Sequence, residues 1–273
     1  MKTQNKGGAV KWLLVAVSAF FLIVMLILPL VYVLITAFRE GIQPFLAAVI
    51  DPYALKSIQL TLEATVFAVI INTIFGLFAA WSITKFQFRG KKVISTLIDL
   101  PLTVSPIIAG LIYVLTFGRQ SFLYPYLKAA GISIIYAVPG IVLATIFVTF
   151  PFISREIIPV LTAAGTDEEE AAALMGANGW TIFRRVTFPH IKWALLYGIV
   201  LCTARAMGEF GAVSVLSGHL RGKTNTMPLY IELLYQGYDF TGAFAMSAIL
   251  VVMAVCILIL RNVFEYRGKK NEE

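Results

Sequence analysis

Six stretches of this chain, at about residues 12–38, 60–84, 93–117, 138–161, 193–216 and 240–264, are predominantly apolar. A helix rises about 1.5 Å per residue, so about 20 such residues cross about 30 Å of hydrocarbon. Each stretch is long enough. Inside lipid only helices and closed barrels satisfy every backbone N–H and C=O, and none of the stretches shows the period-2 alternation of a barrel strand. The pattern predicts an all-α membrane protein with six transmembrane helices, forming a single transmembrane domain over residues 1–273. The first stretch follows Lys2, Lys6 and Lys11 as a signal peptide would. It is longer than the about 7–15 apolar residues of such a peptide and lacks a small-residue cleavage site, so a permanent helix is expected.

The Lys and Arg residues between the stretches predict the orientation, because cytoplasmic loops carry the excess. With both termini in the cytoplasm, fifteen of the 22 fall inside, six fall outside, and Arg205 lies within a helix. Basic residues spread between apolar blocks do not make the single basic face of a nucleic-acid binder. The lipid bilayer is the partner expected from composition. Cys202 and Cys256 lie in apolar segments, and His190 and His219 are the only histidines. Neither a disulfide framework nor a metal centre is expected.

Between the fourth and fifth helices, over about 162–190, an expected cytoplasmic loop carries four consecutive acids, Asp167, Glu168, Glu169 and Glu170, then Ala171-Ala172-Ala173-Leu174-Met175-Gly176. Thr166 with Glu169 has the spacing of a capping box, and the acids would face the positive end of a helix dipole. Gly176 or Gly179 can supply the left-handed residue that stops the helix. A second short helix is expected from Trp180 to Phe188, with Trp180, Phe183 and Val186 or Thr187 on one face and Pro189 ending it. Two short helices at a glycine elbow fit either a well-capped surface loop or a docking element for another protein's groove.

Glu170-Ala171-Ala172, Gly176, and then Val186-x-Phe188-Pro189 resemble the EAA loop of ABC-importer permease subunits, with Val186 and Phe188 in place of the usual Ile and Leu. The resemblance implies that the loop is a coupling helix seated in a cleft of a cytoplasmic ATPase. Asp167, Glu168, Glu169, Glu170, Ala171, Ala172, Gly176, Phe183 and Pro189 would then be the coupling residues.

The fifth stretch contains Ala204-Arg205-Ala206-Met207-Gly208-Glu209-Phe210-Gly211. A charge within a membrane helix costs at least about 2.5–3.5 kcal/mol on insertion scales and is a functional candidate by default. Glu209 stands one turn after Arg205 and can neutralise it. A brace between helices and a positive group facing an anion pathway both remain open. Gly208 and Gly211 permit close approach of a neighbouring helix. The later Gly218–Thr224 segment nearly spells a phosphate-binding loop but has three residues between its glycines where the motif needs four, and no strand precedes it. In the third stretch Pro101 and Pro106 interrupt the backbone near Thr103 and Ser105, two hydroxyls that can line a pathway. Asp99 is expected to be hydrated or paired with Lys91 or Lys92, and Pro151 to break the fourth helix in similar fashion.

The run ARAMGEFGAVSVLSGHLRGKTNTMPL resembles the oxyanion branch of these permeases, and IFVTFPFISREIIPVL, GWTIFRRVTFPHIKWALLYGIVL and GEFGAVSVLSG resemble the W-type subunits of bacterial sulfate/thiosulfate importers. The resemblance implies a bacterial inner-membrane location, a second homologous permease subunit, two copies of an ABC ATPase that bind the ATP and Mg, and an external sulfate-binding protein. It also implies that this chain is non-catalytic and carries no cofactor. A molybdate or tungstate permease is the alternative. An ATP-independent anion transporter is less favoured, because no internal repeat is present.

Overall fold

The computed structural model describes residues 8–270, and every regular element among them is a helix. Lys2 and Lys6, counted for orientation, lie outside the described residues. The helices are α1 (Gly8–Leu22), α2 (Leu28–Ala37), α3 (Ile42–Ile50), α4 (Pro52–Lys85), α5 (Lys91–Thr103), α6 (Pro106–Phe117), α7 (Tyr124–Ala129), α8 (Val138–Thr149) and α9 (Pro151–Ala164). After them come α10 (Asp167–Leu174), α11 (Gly179–Ile182), α12 (Phe188–Met207), α13 (Gly211–Ser217), α14 (Met227–Gln236) and α15 (Phe240–Lys270). Among the described residues five helical runs are long and apolar enough to cross a membrane: Val10–Ala37, Pro52–Lys85, Val138–Ala164, Gly179–Met207 and Phe240–Leu260. The pair α5 and α6, bent by 109°, makes a sixth if counted as one span.

Prolines explain where the runs bend and where they continue. Proline lacks an N–H and crowds the carbonyl four residues earlier. Before Pro106, Val104 and Ser105 both take extended backbone, ψ 133° and 132°, the region a residue preceding proline favours. The helix stops there and restarts in a new direction. Before Pro151, by contrast, Phe150 stays helical at φ −54°, ψ −42°. The fourth span therefore runs on from Val138 to Ala164, and the break expected at Pro151 is confined to an interruption at Phe150 between α8 and α9, without the sharp bend of α5 and α6. Pro29 and Pro189 are accommodated a third way. A single wider π turn, Ile23–Ile27 or Phe183–Thr187, comes directly before the helix each opens. Such a turn moves the crowded carbonyl aside. Pro189 consequently does not end the second loop helix: α11, the π turn and α12 form one run.

The chain divides into two compact units. In the first, of residues 8–51 and 231–251, Phe38 and Phe45 stack at 4.4 Å, and Tyr32 meets Phe244 edge-on at 6.3 Å. In the second, of residues 52–230 and 252–270, two apolar clusters form the core. One gathers Leu60, Ile141, Val148, Val213, Leu216 and Leu229; the other Ala80, Ile153, Ile157, Leu161, Ile191 and Cys202. Asn72 of α4, fully buried, ties helices together by donating to the Ile146 carbonyl at 3.1 Å and to Thr149 Oγ1 at 2.8 Å. Interhelical polar contacts and small residues hold helices together where lipid gives no hydrophobic drive. A small residue matters at Gly198 too, where a Cβ would stand 3.1 Å from the Ile153 Cα.

Candidate functional site

Two places in the second unit gather the residues singled out by sequence. The first is the loop after α9. Gly165 leaves that helix at φ 67°, ψ −154°, and α10 starts at once with its four acids in the first turn. The expected capping box is not formed. Thr166 makes no side-chain cap, and Glu169 is drawn away by a stronger partner: its Oε2 lies 3.0 Å from Lys85 Nζ, while its Oε1 accepts the Thr187 hydroxyl. An ion pair with a further hydrogen bond outweighs one cap bond to a neutral N–H. Lys85 also donates to the Gly165 carbonyl at 2.6 Å. Glu168 pairs with His190 at 2.8 Å.

At the far end of α10 the chain turns by a Schellman motif. The N–H of Ala177 donates to the Ala172 carbonyl at 3.0 Å and that of Gly176 to Ala173 at 2.9 Å, satisfying carbonyls that the helix end leaves open. Gly176 takes φ 86°, and no atom lies within 4 Å of where its Cβ would stand. Glycine is required here by backbone conformation, not by space. Asn178, which sequence reasoning passed over, caps α11 by accepting the Thr181 N–H at 2.9 Å. Its place three residues before Thr181, at the start of a helix, was the signal.

The loop side chains point two ways. Ala172 is buried while Ala171 and Ala173 are exposed, and Phe183 packs between Trp180 at 5.8 Å, Trp81 at 5.3 Å and Phe188 at 6.0 Å. Asp167, Glu170 and Ala171 are exposed, and among the described residues neither Asp167 nor Glu170 enters an ion pair. Leu174, at 90% exposure, Met175 and Trp180 form an open apolar rim at the elbow. Pro189 is exposed at the start of α12.

The second place is the junction of two broken helices. The fifth apolar stretch is not one helix to residue 216: α12 ends at Met207, and the short α13 begins at Gly211. Glu209, its side chain 1% exposed, holds the break closed. One oxygen accepts the Ala212 N–H at 2.8 Å, and the other lies 2.6 Å from Arg205 Nη1. Arg205, one-third exposed, lies in the last turn of α12, where the helix dipole favours a cation. Opposite stands the break of the third span. A Cβ on Gly211 would meet Pro106 Cβ at 2.9 Å, so the two breaks abut, while Gly208 has open surroundings. Thr103 and Ser105 are exposed, and the Thr103 hydroxyl donates back to Leu100 at 2.9 Å. Asp99 pairs with Arg155 at 2.9 Å and not with Lys91 or Lys92, which links α5 to α9.

The near-miss phosphate loop folds on itself. Thr224 donates to the Ser217 carbonyl at 2.6 Å, and the Arg221 guanidinium lies 4.3 Å from the Tyr53 ring centroid. Thr224 to Met227 are buried, and Met227 N–H donates to Thr61 at 2.7 Å.

Residues 72–270 match the family model described as binding-protein-dependent transport system inner membrane component. The chain is 45% identical over 263 residues to the sulfate transport system permease protein CysW of Escherichia coli (strain K12), covering 96% of this chain and 90% of that protein. It is 46% identical over 254 residues to CysW of Synechococcus elongatus (strain ATCC 33912 / PCC 7942 / FACHB-805), covering 93% and 89%. Among solved structures, a chain of a bacterial alginate ABC transporter in complex with an alginate pentasaccharide-bound periplasmic protein superposes with a TM-score of 0.78 at 19% identity. That match covers 98% of this chain and 99% of the other, and it establishes a shared fold. An all-helical chain with broken third and fifth segments, matched over this length, belongs to the binding-protein-dependent transport system inner membrane components.

Proposed function

We propose that this chain is a permease subunit of an ATP-driven importer of sulfate or thiosulfate in a bacterial inner membrane, with both termini and the α10–α11 elbow on the cytoplasmic side. It works beside a second, homologous permease, two copies of an ATPase that hold the ATP and Mg, and an external sulfate-binding protein. The observation that carries the reading is the extent of identity to sulfate transport system permeases, 45% over 96% of this chain. The elbow supports the coupling role. Asp167, Glu170 and Ala171 face outward beside the apolar rim of Leu174, Met175 and Trp180, on a backbone fixed by Gly176. Buried apolar anchors ringed by polar groups are what a protein interface requires.

In this reading the ATPase dimer closes on ATP and draws the elbow with it. The bundle then opens its passage outward, and the anion released by the binding protein passes near the junction of the two broken helices. Arg205 is the cation offered to it, held in place by Glu209.

The test is purification in mild detergent with mass spectrometry of what accompanies the chain, followed by reconstitution and radiolabelled sulfate uptake. An ATPase and a second permease, with uptake that needs ATP, are expected. Sulfate transport by the chain alone without ATP would overturn the reading.

A further inference from the structure

We propose that Lys85 is a positioning residue for the elbow, and that α4 takes up the elbow's displacement alongside α12; this rests on the coupling role proposed above. α12 is joined to the elbow covalently through α11 and the π turn. Lys85, the last residue of α4, is 80 residues away in sequence from Gly165 and reaches the loop with its side chain. The Lys85 ammonium lies 3.0 Å from Glu169 Oε2 and donates to the Gly165 carbonyl at 2.6 Å, with its side chain 8% exposed. The second Glu169 oxygen takes the hydroxyl of Thr187. Glu169 thus links α4, α10 and the π turn that enters α12. One turn before Lys85, Trp81 packs on Phe183 of the same π turn at 5.3 Å.

A movement of α10 away from α4 would strand one charge of a pair that is largely shielded from water. Leaving such a charge without its partner is far costlier than moving both together. α4 is therefore carried with the elbow, and it runs unbroken for 34 residues to Pro52, with Asn72 bonded to α8 along the way. The acid run is accordingly divided in labour. Glu169 faces its own chain as a strut, and Asp167 and Glu170 remain for the ATPase.

The experiment uses the reconstituted complex and reads ATP hydrolysed per sulfate imported, with ATPase association measured in parallel. For Lys85→Met the ATPase is expected to remain bound while the ratio rises about tenfold, within the range typical of coupling between sites. The exchanged pair Lys85→Glu with Glu169→Lys is expected to bring the ratio back toward that of the unaltered complex, which a contact serving stability alone would not do. An unchanged ratio in Lys85→Met overturns the proposal. If that variant does not accumulate, Glu169→Gln is read in its place, since it keeps an acceptor for Thr187 and removes the charge; an unchanged ratio there is equally fatal. An unaltered chain that holds no ATPase removes the functional reading itself and the proposal with it.

Discussion

Gly110 of α6 lies against the backbone of Ala212 of α13 so closely that a Cβ on Gly110 would stand 2.7 Å from the Ala212 carbonyl oxygen. The reciprocal contact, Gly211 against Pro106, is as tight. Each broken helix therefore contributes one glycine to the joint. The segments that follow the two breaks are locked to one another, whereas Thr103, Ser105 and Arg205 at the junction keep some exposure. A rigid joint beside accessible polar groups suits a passage whose walls move as bodies.

Gly110→Ala is expected to lower stability by about 1–3 kcal/mol, the cost of forcing a methyl into a packed site, because the obstructing atom is backbone and has no rotamer to escape into. Gly179→Ala, where nothing lies within 4 Å and φ is not positive, is expected to be close to neutral. Thermal unfolding of the two detergent-solubilised variants checks the pair. Equal midpoints would mean that α6 and α13 are not in contact as described.

Arg205 and Glu209 are expected to behave asymmetrically. Glu209→Ala removes the Ala212 cap and strands Arg205, while Glu209→Gln keeps an acceptor for that N–H. The alanine variant should lose about 1–2 kcal/mol more than the glutamine variant, the scale of a lost N-terminal cap. Arg205→Ala leaves Glu209 charged and buried, so its stability should be partly restored by adding Glu209→Gln. Sulfate uptake should stay low in that double variant if the guanidinium serves the anion. Normal uptake there would make the pair a brace and nothing more.

The six apolar stretches, the acid-rich helix and its glycine elbow were legible because each depends on local pattern: hydrophobic length, dipole charge and a left-handed residue. What was misread depends on tertiary partners. Glu169 has capping-box spacing, but only the fold brings Lys85 to it. Asp99 has lysines nearby in sequence, yet Arg155 of α9 reaches it first in space. The four prolines show the same limit. Pro29, Pro106, Pro151 and Pro189 have one chemistry and three outcomes: the preceding residues stay helical, widen into a π turn or extend. Helix α14 was missed because residues 227–236 are too few to read as a span.

Gly176 and Asn178 stand on either side of the elbow and should separate its geometry from its chemistry. Gly176→Ala forces a side chain into φ 86°, at about 1–2 kcal/mol for an L-residue in the left-handed region. It adds no clash, because the surroundings are open. Asn178→Ala removes the cap on Thr181, at about 1 kcal/mol. Neither touches the outward carboxylates of Asp167 and Glu170. Both variants are expected to reach the membrane and to bind the ATPase more weakly, by up to about thirtyfold for Gly176→Ala and about fivefold for Asn178→Ala if the whole local cost appears in association. Glu170→Gln, which leaves the fold of the elbow alone, should weaken association through lost contact only. Titration of the ATPase against membranes bearing each variant gives the order. If Glu170→Gln weakens binding while Gly176→Ala does not, the partner reads the charge and reshapes the elbow itself; if only Gly176→Ala weakens it, the preformed turn is what is recognised.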